Sequence, residues 1–234
     1  RELIRVVDNG GGIDPAELPL AFSPHATSKL RVEVDLLNVR TLGFRGEALA
    51  SITAVAELSI ASSTGPGETG RVIVRHGDEV LQDDAHGGPG GTEVTVSRLF
   101  ANFPVRLEFL KSERTELFRV VNIVQHQALG HPHVRFTLTS DDRVSFQTTG
   151  SGSLRDALVG VYDARLIDDT LEIPPDEFQG IHGFIGQPGK DRPNRRHISF
   201  YVNRRWVTNR TLLGALTEAC RGMMPSGRHP IAIV

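Results

Sequence analysis

Asp8 closes the alternating run "LIRVVD", and three glycines follow it directly in "DNGGGI". Glycine permits positive φ and lets a ligand lie against bare backbone. A carboxylate at the mouth of such a turn accepts hydrogen bonds from an exocyclic amine such as that of adenine. Asx-Gly is also ordinary turn chemistry, the commoner outcome for this stretch taken alone. In "TLGFRGEALA", residues 41 to 50, Gly43 and Gly46 bracket Phe44-Arg45 and release into Glu47-Ala48-Leu49. The first amides of a helix lack internal partners, and a preceding glycine loop lets further N–H groups converge on one point, which makes an anion cradle. The alternative is a tight helix start in which Glu47 stabilises the dipole. "HATSK" places Thr27, Ser28 and Lys29 in a loop, hydroxyls and an ammonium suited to phosphate oxygens or simply to water. "GGT" sets Thr92 after two glycines at the start of a strand.

A second group of residues carries charge rather than geometry. Lys190, Arg192, Arg195, Arg196, Arg204, Arg205 and Arg210 face only Asp191 within 190–210, a formal +6 on a chain whose net charge is −2. Such a patch suits phosphate contacts that are sequence-independent and salt-sensitive, with a solvated turn as the alternative. Trp206 beside it either stacks on a base or, more commonly for this pattern, packs under its strand. His131 and His133 flank a proline, and no His-Glu-x-x-His spacing occurs, so no metal ligand set is read. The one cysteine, Cys220, excludes an internal disulfide and a cysteine-rich zinc site, and reads as a small apolar helix residue.

The elements that position these residues are mixed. Alternation predicts a strand over 2–8, then a glycine turn, a short helix after Asp14-Pro15 and the helix that follows the 43–46 loop. Two strands come next, "AELSIASST" and "RVIVRHG", and a glycine loop at 86–92 feeds the strand "EVTVSRLF". From Thr115, Leu117, Val120, Val121, Val124 and Ala128 fall at helical spacing, and Gly130 with Pro132 stops them, predicting an amphipathic helix that covers a sheet. After the strand pair "VRFTLTS" and "RVSFQTT", "GSGS" at 150–153 is the linker candidate. Beyond it the pattern is helix "LRDALVGVYD", strand "LIDDTLEI", strand "IHGFIG", a basic turn, strand "HISFYVN" and helix "TLLGALTEACRGM". With 39% hydrophobic and 23% charged residues among 234, the chain has material for a core and lies between one domain and two. No apolar run approaches the ~18 residues of a membrane span, and no signal segment is evident, so a cytoplasmic protein is expected. The chain opens at Arg1, without Met, in what reads as a strand under way and closes on "HPIAIV", a strand beginning, so a fragment is expected.

In this order, Asp-x-Gly-x-Gly, the hydroxyl loop, "GFRGEAL" and Gly-Thr resemble the motif series of the GHKL ATPases. "GFRGEAL" is similar to the form found in the MutL family of DNA mismatch-repair proteins, and the resemblance continues through "LFANFPVRLEFLKS" and "FYVNRRWV", over nearly the whole chain. It implies an α+β fold: a GHKL ATP-binding sandwich at 1–149, truncated at its N-terminus, then a smaller βαβ-type transducer-like domain at 150–234, truncated at its C-terminus. It further implies that Asp8 recognises the adenine of ATP, that Gly10 and Gly12 let the base approach, and that Thr92 supports the Asp8 end. Thr27, Ser28 and Lys29 would belong to a lid, and the amides of Gly43, Phe44, Arg45, Gly46, Glu47, Ala48 and Leu49 would wrap the terminal phosphates. No Gly-x-x-x-x-Gly-Lys-Ser/Thr loop is present, so a P-loop ATPase is not expected. In the family, the general-base glutamate and the asparagine that holds Mg²⁺ precede the Asp-x-Gly-x-Gly motif on an upstream helix. Both are therefore expected upstream of Arg1, and residues 1–234 by themselves are expected to contain no catalytic residue and to be inactive.

By the same resemblance the intact protein would hydrolyse ATP, dimerise on binding it, bind DNA without sequence preference through Arg195, Arg196, Arg204, Arg205 and Arg210, and work with a mismatch-recognition protein, a nicking endonuclease and a helicase. Leu107, Glu108 and Thr208 stand where basic residues are frequent in the family, which puts in doubt whether Arg106 and Lys111 join the DNA surface. The alternatives are another GHKL ATPase of topoisomerase-subunit type, against which the Phe-Arg of "GFRGEAL" speaks, and a DNA-binding interaction module with a vestigial nucleotide pocket.

Overall fold

Strand β2 (Glu57–Ser63) shows how the first sheet is made: Leu58 and Ile60 are fully buried while Ser59 and Ala61, which alternate with them, are only half-buried. Burying each of these large aliphatic side chains contributes about 1.5–3 kcal/mol. In the computed structural model, which describes residues 3–23, 48–175 and 180–234, β2 is the middle strand of a five-stranded antiparallel sheet. Its neighbours are β1 (Leu3–Asp8), β3 (Thr69–His76), β4 (Glu79–Gly87) and β5 (Gly91–Ser97), in the order β1-β5-β2-β3-β4. A 3-10 turn at Leu18–Phe22 and helix α1 (Ala48–Thr53) cover the sheet, so that Leu18 and Phe22 meet Leu58, Ile60 and Ile73, with Leu49 and Ile52 packed alongside. Asp14 starts this cover, its carboxylate accepting from the amide of Ala16 at 2.8 Å. Beyond β5, Arg98 and Phe100 take positive φ and end the strand, and a short helix α2 (Pro104–Phe109) follows with no buried residue.

The second unit has its own core. Helix α3 (Glu113–Gly130) leads to the hairpin β6 (Thr137–Ser140) and β7 (Arg143–Gln147), then to α4 (Leu154–Val161), capped by the Ser153 hydroxyl, and α5 (Ala164–Asp168), capped by the Asp163 carboxylate. Its sheet runs β11-β10-β12-β9-β8, from β8 (Thr170–Ile173), β9 (Gly183–Gly186), β10 (Ile198–Val202), β11 (Arg205–Val207) and β12 (Ala232–Ile233). β10 and β12 are parallel and α6 (Arg210–Ala219) lies between them in sequence, a βαβ connection, while the other pairs are antiparallel. Leu158, Phe184, Ile231 and Ile233 centre the core, with Ala128 and Leu129 of α3.

The compact units therefore divide between Glu113 and Arg114, and the boundary expected at 149/150 falls inside the second. The apolar C-terminal half of α3 supplies part of the second core, which places the helix there. Val121 and Val124 pack against that core as the helical spacing predicts, but Leu117 and Val120 are exposed. Three other differences are local. The segment read as one strand, "LIDDTLEI", begins as α5 because Asp163 caps a helical turn before β8 starts. The sequence pattern predicts neither β4 nor β11, the first because every residue but one along it is exposed, so no apolar alternation marks it, and the second because it is only three residues long.

Candidate functional site

Asp8 ends β1 directly opposite Thr92 of β5, and Thr92 lies directly opposite Ser62 of β2. Opposed residues share a face, so the three side chains form a row across the sheet. The backbone amide of Gly10 donates to Asp8 Oδ1 at 2.8 Å, which closes the glycine turn and leaves Oδ2 with no partner among the described residues. Gly12 holds φ +68°, and a Cβ there would stand 2.0 Å from the Ser63 carbonyl oxygen. Gly91 holds φ +125°, and a Cβ would stand 2.1 Å from the Asp8 carbonyl oxygen. Bare backbone thus lets the loop after Asp8 and the start of β5 close against their neighbours.

Ser62 is the residue that sequence reasoning passed over. It is 1% exposed, accepts from the Ile13 amide at 2.8 Å, donates to the Gly91 carbonyl at 2.9 Å and lies 3.0 Å from Thr92 Oγ1. The only signal for it was a hydroxyl at a position where the alternation of β2 calls for an apolar side chain. A cavity of about 70 Å³ opens between Asp8, Ser62, Thr92 and the 86–91 turn. That is far below the several hundred Å³ of a complete small-molecule pocket, so the described residues do not form one by themselves. Thr27, Ser28, Lys29, Gly43, Phe44, Arg45, Gly46 and Glu47 lie outside the described residues. So does Arg1, the residue upstream of which the general base is expected, and the description begins at Leu3. Of the expected phosphate loop, Ala48 is exposed at the start of α1, and Leu49 packs into the core. Among the described residues, no group of three or more His, Cys, Asp or Glu is placed to hold a metal ion.

The basic segment is divided by the fold. Asp169, remote in sequence, takes Lys190 at 2.9 Å and Arg192 at 2.9 Å, and Asp191 pairs with Arg228. The hydrogen bonds from Arg192 and Lys190 hold the Asp169 carboxyl below its ordinary range. These two cations are therefore structural, and the +6 of the sequence overstates the patch. Arg192 and Asp169 border a cavity of about 430 Å³ that is also lined by Tyr162, Asp163, Arg165 and His197, so both signs of charge meet there. Arg195 and Arg196 form a 3-10 turn at the start of β10, with the Arg196 guanidinium 5.2 Å from the centre of the Phe118 ring. Arg204, in the turn to β11, and Arg205, the first residue of β11, stand at its other end, and Arg210 opens α6.

Asn203 and Arg204 both hold positive φ, +51° and +65°, which makes a two-residue hairpin of the mirror-image kind that matches strand twist. Helix α3 supports this hairpin from below. A Cβ on Gly130 would stand 2.5 Å from the Arg204 carbonyl oxygen. His126 stacks on Trp206 at 3.8 Å and 8° and bonds Tyr201 through Nδ1 at 3.0 Å. Burial pushes the His126 pKa down to about 4 and raises that of the Tyr201 hydroxyl, so both are neutral near pH 7. Trp206 keeps one face on His126 and remains 43% exposed.

Comparison with known proteins bears on the family and the fold. The family model described as "DNA mismatch repair protein, C-terminal domain" matches residues 159–234. The DNA mismatch repair protein MutL of Staphylococcus carnosus is 41% identical over all 234 residues, and that of Anoxybacillus flavithermus is 40% identical over 232. The chain spans only 36% and 38% of the length of these two relatives. Among solved structures, the N-terminal domain of a DNA repair protein superposes with a TM-score of 0.79 at 26% identity, over 99% of this chain and 72% of that one. The Aquifex aeolicus MutL ATPase domain complexed with ADP superposes with a TM-score of 0.68 at 29% identity, over 93% and 75%. The α+β architecture is thus of the GHKL type, and no helix among the described residues is long and apolar enough to cross a membrane. Matched along its full length by bacterial MutL proteins and in fold by a MutL ATPase domain, the chain belongs to the MutL family of DNA mismatch-repair proteins.

Proposed function

We propose that the whole protein binds and hydrolyses ATP, dimerises when ATP is bound, holds DNA by its phosphates and passes a mismatch signal from a recognition protein to a nicking endonuclease and a helicase. The observation that carries the nucleotide part is the row Asp8, Thr92, Ser62, with one Asp8 oxygen unpartnered among the described residues beside a glycine turn, in a fold whose Aquifex aeolicus counterpart was solved with ADP. In this reading Asp8 accepts a hydrogen bond from the adenine amine. Gly10 holds the carboxylate in place, and Thr92 flanks it. Thr27, Ser28 and Lys29 belong to a lid over the nucleotide, and the amides of Gly43 to Leu49 receive phosphate oxygens. Magnesium, when bound, would offset phosphate charge. The hydrolytic base is assigned to none of residues 1–234 and is expected upstream of Arg1, so a polypeptide of these residues alone should release no phosphate.

For DNA, Arg195, Arg196, Arg204, Arg205 and Arg210 are the cations of 190–210 that are not tied to Asp169, and they lie toward the two ends of β10 and at the start of α6. Contacts from such residues go to phosphates and carry no base information.

The test of the nucleotide reading is Asp8→Asn in the whole protein. It replaces a charged acceptor by an amide, and ATP affinity should fall by on the order of 1–3 kcal/mol in titration calorimetry. Unchanged affinity removes Asp8 from the site.

A further inference from the structure

Ser62 Oγ has three neighbours and one proton. The Ile13 amide only donates, and the Gly91 carbonyl only accepts. The Ser62 proton therefore goes to Gly91, because otherwise two oxygens would face each other at 2.9 Å with no hydrogen between them. One lone pair of Ser62 takes the Ile13 amide, and the other is left for Thr92, 3.0 Å away. The Thr92 hydroxyl must then donate to Ser62, and its own lone pairs are what it offers to a ligand.

We infer that Ser62 fixes the proton polarity of the Thr92 hydroxyl and makes it an obligate acceptor, so that the site discriminates a 6-amino from a 6-oxo purine through Thr92 as well as through Asp8. The inference deepens the nucleotide reading above and rests on it. Asp8 and Thr92 are cross-strand partners on one face, so the row presents two acceptors side by side. An amino group supplies two protons to such a pair. The oxygen of a 6-oxo purine supplies none and meets lone pairs on both, the one proton of that edge lying on N1. Burial makes the polarity durable: Ser62 is 1% exposed, and no solvent competes for its proton. Ser62 is a positioning residue in this scheme. It acts on the ligand only through Thr92.

The experiment is a pair of affinities, ATP and inosine triphosphate, measured by titration calorimetry on the whole protein and on Ser62→Ala. Removing the Ser62 hydroxyl frees the Thr92 proton to point at the ligand, so inosine triphosphate gains a donor while ATP loses an acceptor. The ratio of the two dissociation constants should narrow about tenfold. A merely structural role, through the Ile13 amide and the loop it tethers, would weaken both nucleotides together and leave the ratio unchanged, which would overturn the inference. Where Ser62→Ala does not fold by circular dichroism, Thr92→Val carries the test, because it leaves the Ser62 bonds to Ile13 and Gly91 in place. It should narrow the ratio mainly by weakening ATP, and an unchanged ratio again overturns the inference. Failure of the unaltered protein to bind ATP would overturn the nucleotide reading itself, and this inference with it.

Discussion

A methyl group on Gly12 would collide with the Ser63 carbonyl oxygen at 2.0 Å, and the residue would also have to hold φ +68°. Gly12→Ala should therefore cost on the order of 2–4 kcal/mol in urea unfolding, from left-handed strain and backbone displacement together. A cost below about 1 kcal/mol would show that the loop after Asp8 moves freely away from β2. His126 gives a pH prediction. Its folded pKa is about 4 against an ordinary 6.5, so between these values the unfolded chain binds a proton that the folded chain refuses. The stability it contributes is complete above pH 6.5 and is lost as pH falls toward 4, up to ~3 kcal/mol. His126→Phe, which keeps a flat ring against Trp206, should flatten the fall of stability between pH 6.5 and 4. It should not abolish it, because burial lowers the pKa values of His131 and His197 in the same direction. At this scale Asp8, Gly12 and Thr92 stood out in the sequence only through the order of their motifs, since each is ordinary turn or strand chemistry taken alone. Ser62 did not, because its role exists only once β1, β5 and β2 come into register.

The hairpin of β10 and β11 sets conformational strain against charge. Two-residue hairpins of this kind favour Asn-Gly, and here the second position is Arg204 at φ +65°. A side chain in that region costs about 1–2 kcal/mol. Arg204→Gly should therefore stabilise the second unit by about 1 kcal/mol in denaturant and, in the same protein, weaken DNA binding. A stabilised variant with undiminished DNA affinity would mean that Arg204 touches no phosphate. Elements with a buried face, such as β2, β3, β10 and α4, were legible from periodicity alone. β4 was not, since all of its residues but His86 are exposed and neither face is buried, and α5 was hidden by a cap that only the three-dimensional turn reveals. The Gly-Ser stretch at 150–153 had the composition of a linker, but Ser153 spends its hydroxyl on the first turn of α4 inside one core. Nor does a charge count along the chain see Asp169, which removes Lys190 and Arg192 from the basic patch.

At the scale of the whole molecule, two cores divide the work. One is built around Leu58, Ile60 and Ile73, next to the Asp8 row, and the other around Leu158, Phe184 and Ile231, next to the basic hairpin. A charge reversal on the hairpin should then alter DNA binding without altering nucleotide binding. Arg205, paired with Val202 at the start of β11, is the position at which the motif "YVNRRWV" resembles the DNA-binding arginine of the family. If it neutralises a phosphate, Arg205→Glu in the whole protein should weaken binding at every DNA sequence tested. The slope of log affinity against log salt should become shallower by about one unit, since one fewer counterion is released. A loss confined to one sequence would indicate a base contact instead. An unchanged slope with the fold intact by circular dichroism would place Arg205 in the ladder only, and would leave Arg195, Arg196 and Arg210 to carry the electrostatic contact. ATP affinity measured on the same variant supplies the control, because a folding defect that crossed between the units would lower both affinities, whereas loss of a phosphate contact lowers one.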